Sequence, residues 1–313
     1  MQTLVIGSGK AGHEANALGV AEALGRPYAM VRPKPSALFA ALAPYGPADP
    51  AAFKALTADG APALAIASGR ATVPFLRALK RKHGAALFAV CLQDPHAWRG
   101  AFDLIWTPAH DKLRGADVLT TLTSPHPISP RRLAALRAAP DARLAALPGP
   151  RAAVILGGPS ADVRYSDDDF NALALATERI AGQGYALMVT ASRRTPPKML
   201  ATVRAALGHR PAFVWDGAGE NPYAAMLAIA DAILVTADSA NMVGEATATG
   251  APVYVFRGAQ WRRRKLDAMI DGLKALGAVR EWQGALERFA YAPIDSSAAI
   301  AAEILRRMAA RGL

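Results

Sequence analysis

Short apolar runs alternate along the chain with longer segments in which apolar positions recur every three to four residues. Each apolar run ends in a glycine-containing or polar turn, and the turn opens an amphipathic helix. Strands are expected at Thr3–Ile6, Tyr28–Arg32, Ala63–Ala67, Ala86–Leu92, Leu104–Thr107 and Asp117–Thr120. The turn Gly7–His13 leads into a helix to about Leu24, and Pro74 suits the first turn of a helix from about Val73. A helix over Pro130–Leu147 stops at Pro148-Gly149-Pro150, the expected domain boundary. The rhythm then restarts with strands at Ala152–Leu156, Ala186–Thr190, Ala212–Val214, Ala232–Thr236 and, last, Pro252–Phe256. Helices are expected at Asp168–Gln183, Pro197–Leu207, Pro222–Ala230, Asp238–Thr249 and Ser296–Arg311. Strands alternating with helices imply parallel βαβ units, an α/β fold with two Rossmann-like domains. The expected domains are 1–148 and 151–290, with 294–313 a C-terminal helix that can pack back on the first.

Composition narrows this picture. A length of 313 residues, 52% hydrophobic, suits two domains with sizeable cores. No apolar run approaches the ~20 residues of a membrane span. The opening Met-Gln-Thr-Leu-Val-Ile-Gly reads as a first strand rather than a signal peptide. Cys91 is the one cysteine, so an intrachain disulfide is impossible; it reads as a small core residue in a cytoplasmic protein. The net charge of +11 permits anionic partners without selecting one, and nucleic acid has only that charge behind it. The dense run Arg262-Arg263-Arg264-Lys265 is either a solvated helix face or a contact with phosphates or an anionic inner membrane. No H-x-x-x-H, C-x-x-C or Gly-x-Ser-x-Gly spacing occurs, so neither a metal site nor a nucleophile elbow is expected.

The chemistry-bearing residues fall where the turns leave the strands. In Gly7–His13 the glycines fit a dinucleotide fingerprint poorly, because the second strand ends in Arg32 rather than an acid. The loop either turns for steric reasons alone or opens toward a ligand, with Lys10 and His13 at its mouth. At a helix start the dipole favours a neutral His13, able to act as a general base; Asp94, in Gln93-Asp94-Pro95, is the second candidate. Ser68 and Arg70 occupy the next turn. Gly157, Gly158 and Ser160, then Ser192, Arg193 and Arg194, form successive turns whose N–H groups and guanidinium groups suit an anion. Asp238 or Ser239 can cap a helix whose start can hold a phosphate, and Glu245 lies two turns further on. A carboxylate in so apolar a helix needs partners, and ribose hydroxyls are suitable ones. Glu220 and Asn221 open another helix and could read a base or a sugar.

These motifs resemble the "elongated mitochondria" family of mitochondrial fission, which has plant members and many bacterial ones. The matching pieces are Gly9–Glu14, Ser68–Arg70, Gln93–Pro95, Gly157–Ser160, Ser192–Pro196, Asp216–Tyr223 and Thr236–Ser239. The layout is also similar to GT-B glycosyltransferases, especially the peptidoglycan N-acetylglucosaminyltransferase and, more loosely, lipid A disaccharide synthase. Gly12-His13 resembles the loop carrying that enzyme's proposed base, Ser192-Arg193 its diphosphate segment, and Ser239–Gly250 the helix whose glutamate, here Glu245, binds the donor ribose. The resemblance implies a GT-B-like fold whose parallel sheets face a central cleft. It implies a nucleotide-sugar, a UDP-sugar foremost, in the second domain, an acceptor, such as a lipid-linked glycan, in the first, and no catalytic metal. A metal-independent transferase inverting at the sugar is the leading expectation. The rival is a GT-B-fold scaffold at a membrane surface, since the plant members are known for recruiting division machinery. A sugar-nucleotide epimerase or dehydrogenase is disfavoured, because a Tyr-x-x-x-Lys pair and the acidic ribose-binding residue of an NAD site are missing.

Overall fold

A computed structural model describes residues 3–57, 60–160, 163–215, 217–261 and 264–313. The strands are β1 (Thr3–Ile6), β2 (Tyr28–Val31), β3 (Leu64–Ser68), β4 (Phe88–Leu92), β5 (Leu104–Pro108), β6 (Val118–Thr121), β7 (Arg151–Leu156), β8 (Val163–Arg164), β9 (Ala186–Ala191), β10 (Ala212–Trp215), β11 (Ala232–Thr236), β12 (Val253–Phe256), β13 (Gln260–Trp261) and β14 (Val279–Glu281). The helices are α1 (Ala11–Ala23), α2 (Ala37–Leu42), α3 (Pro50–Leu56), α4 (Val73–His83), α5 (Pro130–Ala138), α6 (Ala142–Ala145), α7 (Asp167–Gly182), α8 (Pro197–Leu207), α9 (Tyr223–Ile229), α10 (Ala240–Thr247), α11 (Arg264–Ala275) and α12 (Ser296–Ala309). Among the described residues these strands build two parallel six-stranded sheets, ordered β2-β1-β3-β4-β5-β6 and β10-β9-β7-β11-β12-β14. A short antiparallel ribbon joins β8 to β13.

The continuous apolar runs follow from burial on both faces of each sheet. Along β1, Val5 packs with Ile66 and Val90 against Val20 of α1 and Ile304 of α12. Its neighbours Leu4 and Ile6 point the other way, with Ala65 and Ile105, against Leu76 and Leu79 of α4. Period-two alternation thus sorts one strand's side chains between two helical layers. In the second sheet Val154, Val189 and Leu234 pack against Phe170 and Ile180 of α7 and Met199 of α8. Helix α7 begins with a reciprocal capping box between Ser166 and Asp169.

The chain divides into two compact units, Met1–Ser129 with Asp295–Leu313, and Pro130–Ile294. The boundary falls before the helix read as the end of the first domain, not at 148–151. Helix α5 packs on α9, and Arg137 Nε donates to the Ala228 carbonyl at 2.6 Å, so it belongs to the second unit. The expected single helix over Pro130–Leu147 is also broken, since Pro140 cannot continue it and Asp141 caps α6. Helix α12 packs on α1, with Ser296 Oγ 2.6 Å from Thr123 Oγ1 and Ser297 hydrogen-bonded to the His126 backbone. The last strand is β14 rather than β12; with Val279 its one buried residue, it carries no apolar run to reveal it.

Strand order reverses beside β1 and β3 in the first sheet and beside β7 and β11 in the second. Ligands in open α/β sheets bind outside the strand C-termini at such points.

Candidate functional site

In the second unit the turns after β7, β9 and β11 are locked into one another. Asp238, 1% exposed, accepts from Gly158 N at 3.1 Å, from the Tyr165 hydroxyl at 2.9 Å and from Arg194 Nη2 at 2.8 Å. Arg194 Nη1 donates to the carbonyls of Gly158 and Pro159. Gly157 donates its N–H to Thr236 Oγ1 at 2.7 Å, and a Cβ there would collide with the Asp238 carboxylate. Thr195 Oγ1 contacts the Leu156 and Gly157 carbonyls and accepts from Ser192 N. Gly157, Gly158, Arg194 and Asp238, read from the sequence among the nucleotide-binding residues, are thus engaged within the protein in this structure. Their close approach serves an internal ion pair that fills the point of strand reversal. Arg193 remains exposed, and Ser160 donates its N–H to the Val163 carbonyl.

Beside this clamp lies a cavity of about 170 Å³ at the C-terminal ends of β7 and β9. Its walls include Thr190, Ser192, Asn221, Tyr223, Met242 and Glu245. Ser239 caps α10 by accepting from Met242 N, which sets Met242 and Glu245 on the helix face turned to the cavity. Asn221 Oδ1 accepts from Tyr223 N at 3.0 Å and orients the first turn of α9. The Tyr223 hydroxyl donates to Glu245 Oε2 at 2.6 Å. Burial pushes the Glu245 carboxyl up to about 7, against the pull of that hydrogen bond and of Arg132. The same burial and the facing carboxylate raise the Tyr223 phenol well above its ordinary range. Glu220 is exposed and does not line the cavity; its carbonyl lies 3.4 Å from Arg143. Asp216 lies outside the described residues. Tyr223 went unassigned in the sequence, although the motif Asn221-Pro222-Tyr223 contains it.

In the first unit, His13 lies in the first turn of α1, and its Nδ1 is 3.2 Å from Ser8 Oγ. Gly69 has φ +92°, and a Cβ there would overlap the His13 ring, so the turn after β3 closes directly onto the imidazole. Ser68 is buried beside it, its Oγ without a hydrogen-bond partner. Burial, and secondarily the Lys10 ammonium, hold the His13 imidazole below its usual 6.5. Burial thus takes the leading part that the sequence reading gave to the helix dipole. Arg32 grips Glu14 with two 2.8 Å hydrogen bonds and Gly9 N adds a third, which closes the glycine loop. Lys10 and Arg70 are exposed. Asp94 lies two residues beyond β4, and its Oδ1 accepts from His96 N at 2.8 Å. Of the basic run, Arg262 and Arg263 lie outside the described residues, while Arg264 and Lys265 open α11. No helix among the described residues is long and apolar enough to cross a membrane.

Similarity to known proteins follows the same layout. The chain is 10% identical to the UDP-GlcNAc 2-epimerase of Methanocaldococcus jannaschii, with a TM-score of 0.60 over 99% of this chain and 100% of that one. It is 13% identical to the ADP-heptose LPS heptosyltransferase II of E. coli, with a TM-score of 0.50 over the full length of both. Identities this low speak for the fold, which these GT-B proteins share. The mitochondrial fission protein ELM1 of Arabidopsis thaliana is 31% identical over 281 residues, 81% of this chain and 65% of the plant protein. The chain thus spans less than two thirds of the length of the curated relatives it matches. The model of the mitochondrial fission ELM1 family matches residues 11–308, and the chain belongs to that family.

Proposed function

We propose that the chain is a glycosyltransferase that takes a nucleotide-sugar, a UDP-sugar foremost, in its second unit. The observation that carries this reading is Glu245, a carboxylate turned into a cavity at the strand C-termini and met there by one donor, Tyr223. Further donors satisfy a half-buried carboxylate, and the paired hydroxyls of a ribose supply two. Arg193 and the N–H groups at the start of α10, beyond Ser239, take the diphosphate. In the first unit, His13, held below its usual 6.5 by burial, is the candidate base for an acceptor hydroxyl. Two likenesses add support at the level of fold: one relative is named for UDP-GlcNAc and the other for ADP-heptose.

The second reading, a binding or scaffold protein without catalysis, gains from the Arg194–Asp238 pair, which withdraws one cation expected at the diphosphate. Isothermal titration with UDP, GDP, ADP and CMP, with and without magnesium, tests the donor site. Micromolar binding of one nucleotide, lost in Glu245→Ala, is expected; unchanged affinity in that variant overturns the assignment. Nucleotide release from the sugar donor, lost in His13→Ala with binding retained, separates the transferase from the scaffold.

A further inference from the structure

Helix α2 reads Ala37-Leu38-Phe39-Ala40-Ala41-Leu42, and none of its residues is buried. A helix apolar all round normally lies inside a core. Here Leu38 is 68% and Leu42 45% exposed, and Tyr45, just beyond, is 64% exposed. Trp98 extends the patch: it is 55% exposed, and its Nε1–H donates to the Tyr45 carbonyl at 3.3 Å. Its backbone sits at φ +57°, a strained conformation for a bulky residue, yet its indole fills no core. Large apolar side chains gathered in this way mark an interaction face rather than ordinary surface scatter.

Cations border the patch. The Arg77 guanidinium stacks 4.2 Å from the Trp98 ring centroid. With Arg81 and Lys82 it rims a groove of about 280 Å³ floored by Pro47, Phe53 and Pro74. Arg77 Nη1 is buried without a hydrogen-bond partner. None of the three cations has an ion pair among the described residues. Asp49, beside α2, is occupied by the backbone N–H groups of Ser36, Ala51 and Ala52, and Asp59 lies outside the described residues.

We propose that this face of the first unit docks on an anionic lipid bilayer. Leu38, Leu42 and the two aromatic rings enter the interfacial region, while Arg77, Arg81 and Lys82 meet lipid phosphates. Trp and Tyr are the side chains that favour this depth, with an apolar body and a polar edge. A second copy is a poor occupant. Two-fold pairing would bring two copies of the same cation-rimmed face together, whereas lipid phosphates supply the opposite charge. The proposal does not depend on nucleotide binding, so either reading can fail alone.

The test is sedimentation of the full chain with vesicles of phosphatidylcholine alone and of phosphatidylcholine mixed with phosphatidylglycerol. Binding is expected with the anionic vesicles and should fall steeply with salt. Arg81→Glu and Lys82→Glu should each weaken it by roughly fivefold or more. Leu38→Ser with Leu42→Ser should weaken it again, and the vesicle-induced blue shift of tryptophan emission should shrink in Trp98→Phe. All these positions are on the surface, and circular dichroism identifies any variant that fails to fold. Equal binding to neutral vesicles, or none to anionic ones, overturns the proposal. So does a self-associating chain that the Leu38/Leu42 variant makes monomeric while its vesicle binding is unchanged.

Discussion

Replacing Glu245 with glutamine should stabilise the second unit at alkaline pH and leave it nearly unchanged in acid. The side chains match in shape, and the amide oxygen can still accept from Tyr223, so the substitution removes mainly a charge. The Glu245 carboxyl rises from 4.5 to about 7 on folding. Its folded value lies above its unfolded one, so the folded state holds the extra proton between those limits. Stability from this group is therefore full below about pH 4.5 and declines until pH passes about 7. At about 1.4 kcal/mol per pH unit, the ionised carboxylate costs the fold about 3 kcal/mol at pH 8 and under about 1 kcal/mol at pH 5. Glutamine escapes that cost. Urea unfolding of both proteins at pH 5, 6, 7 and 8 reads the difference. With an m-value of about 2 kcal/mol/M, the variant's midpoint at pH 8 should lie about 1.5 M higher. A difference independent of pH would show that Glu245 titrates as a solvated carboxylate, and the reading of its cavity as a place that seeks donors would fall.

Tyr223→Phe removes the hydroxyl that steadies the ionised carboxylate, so it should cost about 1–2 kcal/mol at pH 8 and less at pH 5 in the same unfolding series. Ribose hydroxyls would favour the ionised Glu245, so nucleotide affinity should rise from pH 6 to pH 8 with proton release, visible as titration heats that change with the buffer. Arg194→Ala leaves the buried Asp238 without its cation and should destabilise the second unit by about 2–4 kcal/mol, seen as a lower thermal midpoint without ligand; an unchanged midpoint would return Arg194 to the role of diphosphate ligand. Lys10→Ala should move the His13 titration up toward 6.5, followed by the imidazole proton resonances in NMR.

The parallel strands were legible because burial on both faces forces continuous apolar runs, and β7, β9 and β11 lie within a residue of their expected limits. The edge strand β14 lacked that signal, and Pro140 and Asp141 divided a helix whose apolar spacing alone reads as continuous. The site was legible in position but not in wiring. Glycine turns announce that something comes close to the backbone, and a phosphate and an internal carboxylate make the same demand. Only the fold shows that Asp238, eighty positions from Gly158, is what arrives there. Tyr223 was hidden for a related reason: its partner Glu245 lies twenty-two residues on, in a different helix.

The two points of strand reversal differ in what they offer a ligand. In the second unit the reversal is already filled, since Asp238, Arg194 and Tyr165 satisfy one another there. Binding at that spot would first have to separate a buried ion pair, which is costly when one partner is left uncompensated. The open space is displaced toward β9, where one carboxylate meets a single hydrogen-bond donor among the described residues and has an elevated titration point. In the first unit the reversal holds an imidazole, a buried hydroxyl without a partner and an exposed ammonium. A group that offers hydroxyls suits the carboxylate, and a group that can both donate to His13 and accept from Ser68 suits the first unit. A sugar alcohol meets the second demand and a ribose the first, and a scaffold that bound only protein would need neither.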